Sequence, residues 1–403
     1  MAATPHAKQT AGAGSCEPTA AAGLHRRALI VAVNLCMFVF GVVLLLMGSL
    51  LPALAMGGVR AGSLGSFPLA GILIATVLIG PVLDKAGAKP ALVIALATIA
   101  VAISLMPSLS SYRALAAAAL VYGLGGGVLN TATNALVADV SASGRAAALN
   151  LLGFSFSFGA IAAPLLGSLV GRRFPVASML RVLGAAPVVV LVLVLFLRFP
   201  TPSHGGVPLR SLLGVLKNPL VWLFGLLLLF ESGNENCMFV WTGKVAQELL
   251  SVTAQRAELA LVGLSIALGA GRLLALLWLK WLGNQRTLLL SAAVTIAGAL
   301  VAMSDRTFAG MAAGFVVIGL GMSAIYPTAL GFAGDCFQGQ TGTIFGAIIA
   351  VSLIGGIAGP IAGGWAAAAN PARVLIIPIV AAAAVMCLTL VLARTRIARQ
   401  PDR

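Results

Sequence analysis

Two glutamates four residues apart, in Phe230-Glu231-Ser232-Gly233-Asn234-Glu235-Asn236, carry the most chemistry in this chain. The apolar run around them, 220–245, is long enough to cross a bilayer. A charge at the centre of such a span costs about 2.5–3.5 kcal/mol on insertion scales, so two acids there need a reason. Side chains at i and i+4 share a helix face, and two like charges that close cannot both ionise cheaply. One of them is therefore expected to hold a proton. Glu235 is the candidate proton- or substrate-linked acid, with Glu231 assisting. The competing role is structural: pairing with Arg181, Lys244 or Arg272, or unwinding of the helix at Gly233.

Amides add to this chemistry. Asn130 and Asn134 share one face of the run 114–137, and Asn150 lies one turn into the run 146–170. Buried amides in lipid must find partners, which a hydroxylic solute or a neighbouring helix can supply. Trp241 and Tyr326 can stack on a sugar ring or simply pack. Asn130, Asn134, Asn150, Asn234, Glu235, Trp241 and Tyr326 together form the candidate solute site. Arg272, after Gly271, reads as an ion-pair partner more readily than as an anion ligand.

Other chemistries are excluded by what is missing. His6, His25 and His204 lie in polar tail or loop stretches. Cys16, Cys36, Cys237, Cys336 and Cys387 lack metal-ligand spacing and read as small hydrophobes. No nucleophile–histidine constellation and no nucleotide-binding loop occurs, so neither an enzyme nor an ATP-driven pump is expected, and no cofactor or metal.

The elements that position these residues follow from composition. Of 403 residues only 9% are charged and 60% hydrophobic, and the mean hydropathy is +1.07. A soluble domain carries about a quarter charged residues. The net charge of +15 comes from single basic residues between apolar runs, not from a nucleic-acid patch, so no nucleic-acid partner is expected. Twelve runs approach spanning length: 28–53, 64–83, 91–109, 114–137, 146–170, 177–197, 220–245, 259–279, 288–303, 308–332, 343–367 and 374–393.

Six runs precede the Pro- and Gly-rich stretch 198–217 and six follow it. The expected domains are thus a six-helix bundle over 28–197, a linker over 198–217 and a second bundle over 218–393. Residues 1–27 read as a disordered tail without a cleavable signal, and 394–403 as a second tail. With the N-terminus inside, fifteen Lys and Arg fall on the cytoplasmic side against seven opposite, which places both termini in the cytoplasm of an inner membrane. Trp222, Trp278 and Trp281 then fall near the inner interface.

The two halves repeat at one register. Gly123-Leu124-Gly125 with Asp139, Pro164 with Gly167, and Gly87 recur as Gly319-Leu320-Gly321 with Asp335, Pro360 with Gly363, and Gly283, each 196 residues on. The expected fold is all-α, with twelve transmembrane helices in two pseudo-symmetric bundles. Small residues four apart (Gly159 with Pro164 and Gly167; Gly355, Gly359, Pro360 and Gly363) let helices touch.

The turn Gly80-Pro-Val-Leu-Asp84-Lys85-Ala-Gly87-Ala-Lys89 resembles the signature loop of the major facilitator superfamily. It suits a gate: Gly80 allows close approach, Gly87 a tight turn, and Asp84 can pair with a base or with the positive end of a helix. Lys85 and Lys89 complete it, and Asp139, Arg145 and Asp335 are expected to latch the same side. The second copy keeps Gly283 but has Lys280 in place of the acid.

Five further stretches look like the fucose and glucose/galactose permease branch of that superfamily. They are Leu46-Met-Gly-Ser-Leu-Leu-Pro52, Asn130-Thr-Ala-Thr-Asn134, Ala148-Leu149-Asn150, Gly233-Asn-Glu235 and Tyr326-Pro327-Thr328. The resemblance implies alternating-access transport of a small polar solute, a sugar or related metabolite, coupled to protons, by a monomer in the lipid bilayer. It implies a solute-binding role for Asn150. The branch's two coupling acids, however, fall on Gly48 and Asn130, which carry no carboxylate. Rival readings are a drug or metabolite exporter, since a span-5 glycine–proline motif accompanies antiporters, although the complete version here is in span 11, or a non-transporting receptor of the same fold.

Overall fold

The computed structural model describes residues 20–50, 58–141, 144–170, 175–200, 214–305, 307–337 and 341–394. Most of both tails and of the linker therefore lies outside the described residues. The helices are α1 (Ala20–Leu50), α2 (Gly58–Ala86), α3 (Ala88–Leu105), α4 (Tyr112–Val140), α5 (Arg145–Val170) and α6 (Val176–Phe196). They continue with α7 (Pro219–Leu250), α8 (Ala254–Ser304), α9 (Phe308–Ser323), α10 (Ile325–Cys336), α11 (Thr341–Ala369) and α12 (Ile376–Arg394). Helix α1 begins in the Ala-rich stretch ahead of the first apolar run, so residues 20–27 join the helix instead of the tail.

Side-chain caps start several helices where polar residues meet apolar runs. Ser111, Asn218, Thr253 and Thr307 each accept a backbone N–H from the first turn of α4, α7, α8 and α9. Among the described residues, ten helical stretches are long and apolar enough to cross a membrane. One of them, Leu259–Ser304, is 46 residues long, or about 70 Å at the helical rise, more than twice a hydrocarbon core. Gly283, with φ 69°, folds it into two spans. The remaining span is α7, whose polar middle keeps it out of the apolar set. The protein is thus an integral, multi-pass membrane protein whose described helices are consistent with twelve spans, α9 and α10 forming one of them across a break at Ala324.

The repeat is visible in the packing. Gly87 (φ 79°, ψ 171°) and Gly283 (φ 69°, ψ 174°) adopt the same backbone, a left-handed-side φ that favours glycine. A side chain on Gly123 would run into the Pro68 carbonyl of α2, and one on Gly319 into the Leu264 carbonyl of α8. Both members of that contact are shifted by 196. Gly159 lies against Phe38 of α1, and its counterpart Gly355 against Leu229 of α7, where the glycines keep the 196 register but their partners do not. Within the first bundle α2 packs on α4 and α1 on α5, while within the second α7 packs on α11 and α8 on α9. Side chains from residue 163 to the end of α5 are outside the described set, so the expected packing of Pro164 and Gly167 is too.

Candidate functional site

The residues expected to form a gate sit where the two bundles meet at one end. The Asp84 carboxylate accepts the backbone N–H groups of Gly342 and Thr343, each at 3.0 Å, and the Thr343 hydroxyl. These are orphan donors of the first turn of α11, so the acid sits on the positive end of a helix from the other half. Gly80 makes this reach possible, since a Cβ there would lie 2.7 Å from Thr343 Cα. Lys89 does the converse within the first half: its ammonium donates to the carbonyls of Leu195 and Leu197 at the end of α6, at 2.9 and 2.8 Å. Lys85 is exposed.

Asp139 accepts from the Thr341 hydroxyl at 2.5 Å, and Arg145 bonds Asp335 at 2.8 Å while its Nε caps the Ala138 carbonyl. Asn284 also donates to Asp335, at 3.0 Å. The counterpart of the Asp84 contact, between α5 and α8, is apolar: Ala146 packs with Ala275, Leu279 and Ala324, and Trp278 covers them. Trp278 is thus drawn into the inter-half contact, whereas Trp281 is exposed.

Toward mid-depth the polar residues converge on Arg272, which is 3% exposed. Its Nη1 donates to the Gly153 carbonyl at 2.7 Å and to Ser157 Oγ at 2.6 Å, both on α5. Nη2 faces the two Glu235 oxygens at 3.4 and 3.5 Å, and Nε faces the Ser323 carbonyl at 3.3 Å. The Ser323 carbonyl is available because Pro327, four residues on, has no N–H to give it. The guanidinium also lies 5.7 Å from the Phe156 ring centroid.

Around this centre, Asn150 donates to Ala146 O at 2.8 Å and across the halves to Thr328 Oγ1 at 3.3 Å, while its Oδ1 has no partner among the described residues. Among the described residues Asn234 reaches only Met322 Sδ, at 3.7 Å, and its oxygen has no partner. Tyr326 OH lies 3.4 Å from Ser352 Oγ. Glu231, 0% exposed, has neither oxygen hydrogen-bonded among the described residues. Such an arrangement can hold a hydroxylic solute by amide and hydroxyl groups beside an acid able to carry a proton.

Other candidates are bonded to one another or within one seam. Asn134 donates to Asn130 O and Oδ1 at 2.8 and 3.0 Å, a pairing internal to α4. Trp241 donates to the Pro360 carbonyl at 3.0 Å and packs on Gly363, holding α7 against α11. Gly359 sits against Gly233 in the same seam. Sequence reasoning did not single out Ser157, Gly153 O or Ser323 O as partners of Arg272. The one available signal was Pro327, which marks a freed carbonyl four residues earlier.

This architecture defines the class: a two-bundle, multi-pass helical protein with polar groups buried between the bundles. Residues 29–300 match the family model of the Major Facilitator Superfamily, and the chain belongs to that superfamily. An uncharacterized MFS-type transporter of Yersinia pestis is 25% identical over 342 residues, covering 84% of this chain and 88% of the relative. Among solved structures, the transporter FucP in the outward conformation superposes with a TM-score of 0.79 at 21% identity, over 91% of this chain and 99% of that one. A structure described as the proton:xylose symporter XylE gives a TM-score of 0.76 at 11% identity, over 92% and 95%.

Proposed function

We propose that this transporter is a secondary active carrier moving a small, polar, uncharged solute, a sugar or related metabolite, with protons. The bundles 28–197 and 218–393, joined by 198–217, rock about the buried polar layer and expose it alternately to each side. The Asp84 end faces the cytoplasm of an inner membrane, with both tails on that side, and the working unit is a monomer. The observation that carries this reading is the Arg272–Glu235 pair, which has acceptors from both halves and an unpartnered acid, Glu231, one turn away. The fold-level likeness to a proton:xylose symporter agrees with it. Asn150, Asn234, Tyr326, Asn130 and Asn134 are the proposed solute contacts. Packing of Pro360 and the α11 glycines on α7 favours a structural role for that motif over an antiporter role.

The test is uptake into proteoliposomes from a panel of labelled sugars, organic acids and amphipathic drugs, with and without a pH gradient. Accumulation of a neutral polyol driven by the gradient is expected, and Glu235→Gln should abolish the drive. Full gradient-driven uptake by Glu235→Gln would sink the assignment, and efflux of drugs alone would favour the exporter.

A further inference from the structure

Arginine has five N–H donors, and all five of Arg272 have acceptors: two on α5 through Nη1, two on Glu235 through Nη2, and Ser323 O through Nε. None is left for Glu231, which shares a face of α7 with Glu235. Glu231 and its neighbours are otherwise poor in charge. Arg272 comes from α8, Glu235 from α7 itself, and Tyr326 from α10, where it is engaged with Ser352. Helices α9 and α11 contain no titratable residue, and α12 contains only Cys387 and its terminal Arg394. A carboxylate wholly out of water with no hydrogen bond is far costlier than the neutral acid. An ionised Glu231 would therefore be a buried charge with no hydrogen bond among the described residues.

The acceptors of Arg272 differ in ownership. Glu235 and Ser323 belong to the same half as Arg272, while Gly153 O and Ser157 Oγ belong to the other. Parting of α5 from α8 removes both Nη1 partners at once and leaves the rest in place. We infer that Glu231 is the proton carrier and that Arg272 is the switch that makes its proton affinity depend on the docking of α5. With α5 docked, Arg272 is saturated and Glu231 keeps its proton. When α5 leaves, Nη1 turns to Glu231, the O–H bond breaks, the proton passes to water on the opened side, and the carboxylate pairs with Arg272. Redocking returns Nη1 to α5 and Glu231 takes a proton back. Glu235 stays with Arg272 Nη2 throughout as its fixed partner. This deepens the proton-driven reading above and rests on it, exchanging the roles of the two acids.

Infrared spectroscopy of the full chain in lipid vesicles reads the neutral acid directly, through the carbonyl stretch of a dry –COOH. The closed state is held by a bifunctional thiol reagent between Arg145→Cys and Asp335→Cys, with the five native cysteines replaced by alanine. The band should persist into alkaline buffer in the cross-linked protein and disappear at lower pH once the link is cleaved. It should vanish in Glu231→Gln and survive, shifted, in Glu231→Asp. Ser157→Ala, which removes one α5 acceptor, should lower the pH at which the band is lost. A band that remains in Glu231→Gln, or one indifferent to both the cross-link and Ser157→Ala, overturns the inference. The two readings fail separately: pH-driven uptake retained in full by Glu231→Gln overturns Glu231 as carrier and leaves proton-driven transport standing. A wild-type protein with the band but no gradient-driven uptake of any solute overturns proton-driven transport.

Discussion

Arg145 bonds Asp335 across the two halves at 2.8 Å, and the contact is the image of another: Thr341 bonds Asp139, with both residues shifted by 196. Each acid ends the fourth span of its own half, the fourth and the tenth overall, and each reaches the first residue of the fifth span of the opposite half. The duplication therefore survives as a pair of cross-half contacts about a pseudo-two-fold axis. Its chemistry has diverged, because one copy is an ion pair and the other a neutral hydroxyl on a carboxylate. A third contact, Asp84 on the start of α11, has no acidic image, since Lys280 stands at that place.

Asp84→Asn should weaken the closed end more than loss of either image contact. The carboxylate holds two backbone N–H groups and a hydroxyl at a helix N-terminus, where a charge is worth about 0.3–2 kcal/mol. At 1.4 kcal/mol per tenfold, the upper end shifts the open population by about thirtyfold. Distances between spin labels on the two halves measure this; an unchanged distance distribution would refute it.

Arg145 and Asp335 form a weaker latch. The Asp335 side chain is 41% exposed, and exposed pairs contribute about 0.2–1 kcal/mol. A double-mutant cycle of Arg145→Ala and Asp335→Ala, read by thermal unfolding in detergent, should give a coupling below about 1 kcal/mol that shrinks with salt. A larger, salt-insensitive coupling would mean the pair is shielded in solution.

Much of the fold was legible because hydropathy and the 196-residue register both report on lipid-facing and helix-facing positions, which composition encodes directly. Gly283 marked the boundary of two spans, and Asp84 was expected on a helix end or a base. Its actual partner lies 259 residues away in sequence, which only the packing of α2 on α11 brings near. Arg272 was harder still. Three of its acceptors are not carboxylates, two of them are backbone carbonyls, and a carbonyl leaves no mark on the residue that bears it. Trp241 was open between stacking on a ring and packing; it is bonded to Pro360 in this conformation, a contact set by the small side of α11 and invisible in the motif alone.

Gly359→Ala should destabilise where Gly364→Ala does not. A Cβ at Gly359 would collide with the Gly233 carbonyl, a backbone atom that cannot swing aside, whereas at Gly364 it would meet Trp241 at an ordinary 3.5 Å. Overpacking of this kind costs about 1–3 kcal/mol. Melting temperatures of the two variants in one detergent decide it, and equal losses would show that the seam between α7 and α11 can spread.

Arg272→Gln should be the most damaging single substitution at the buried layer. It leaves Glu235 without its cation at 8% exposure, and stripping one partner from a buried pair costs about 3–5 kcal/mol. Adding Glu235→Gln removes the stranded charge, so the double variant should recover much of the lost stability while still failing to couple uptake to the pH gradient. Arg272→Lys should not rescue coupling, because a single ammonium cannot reach Ser157, Gly153, Ser323 and Glu235 together. Thermal unfolding and gradient-driven uptake, measured on the same preparations, separate the two effects. Stability that stays low in the double variant would show that the α5 carbonyl and hydroxyl, and not the ion pair, dominate what Arg272 holds together.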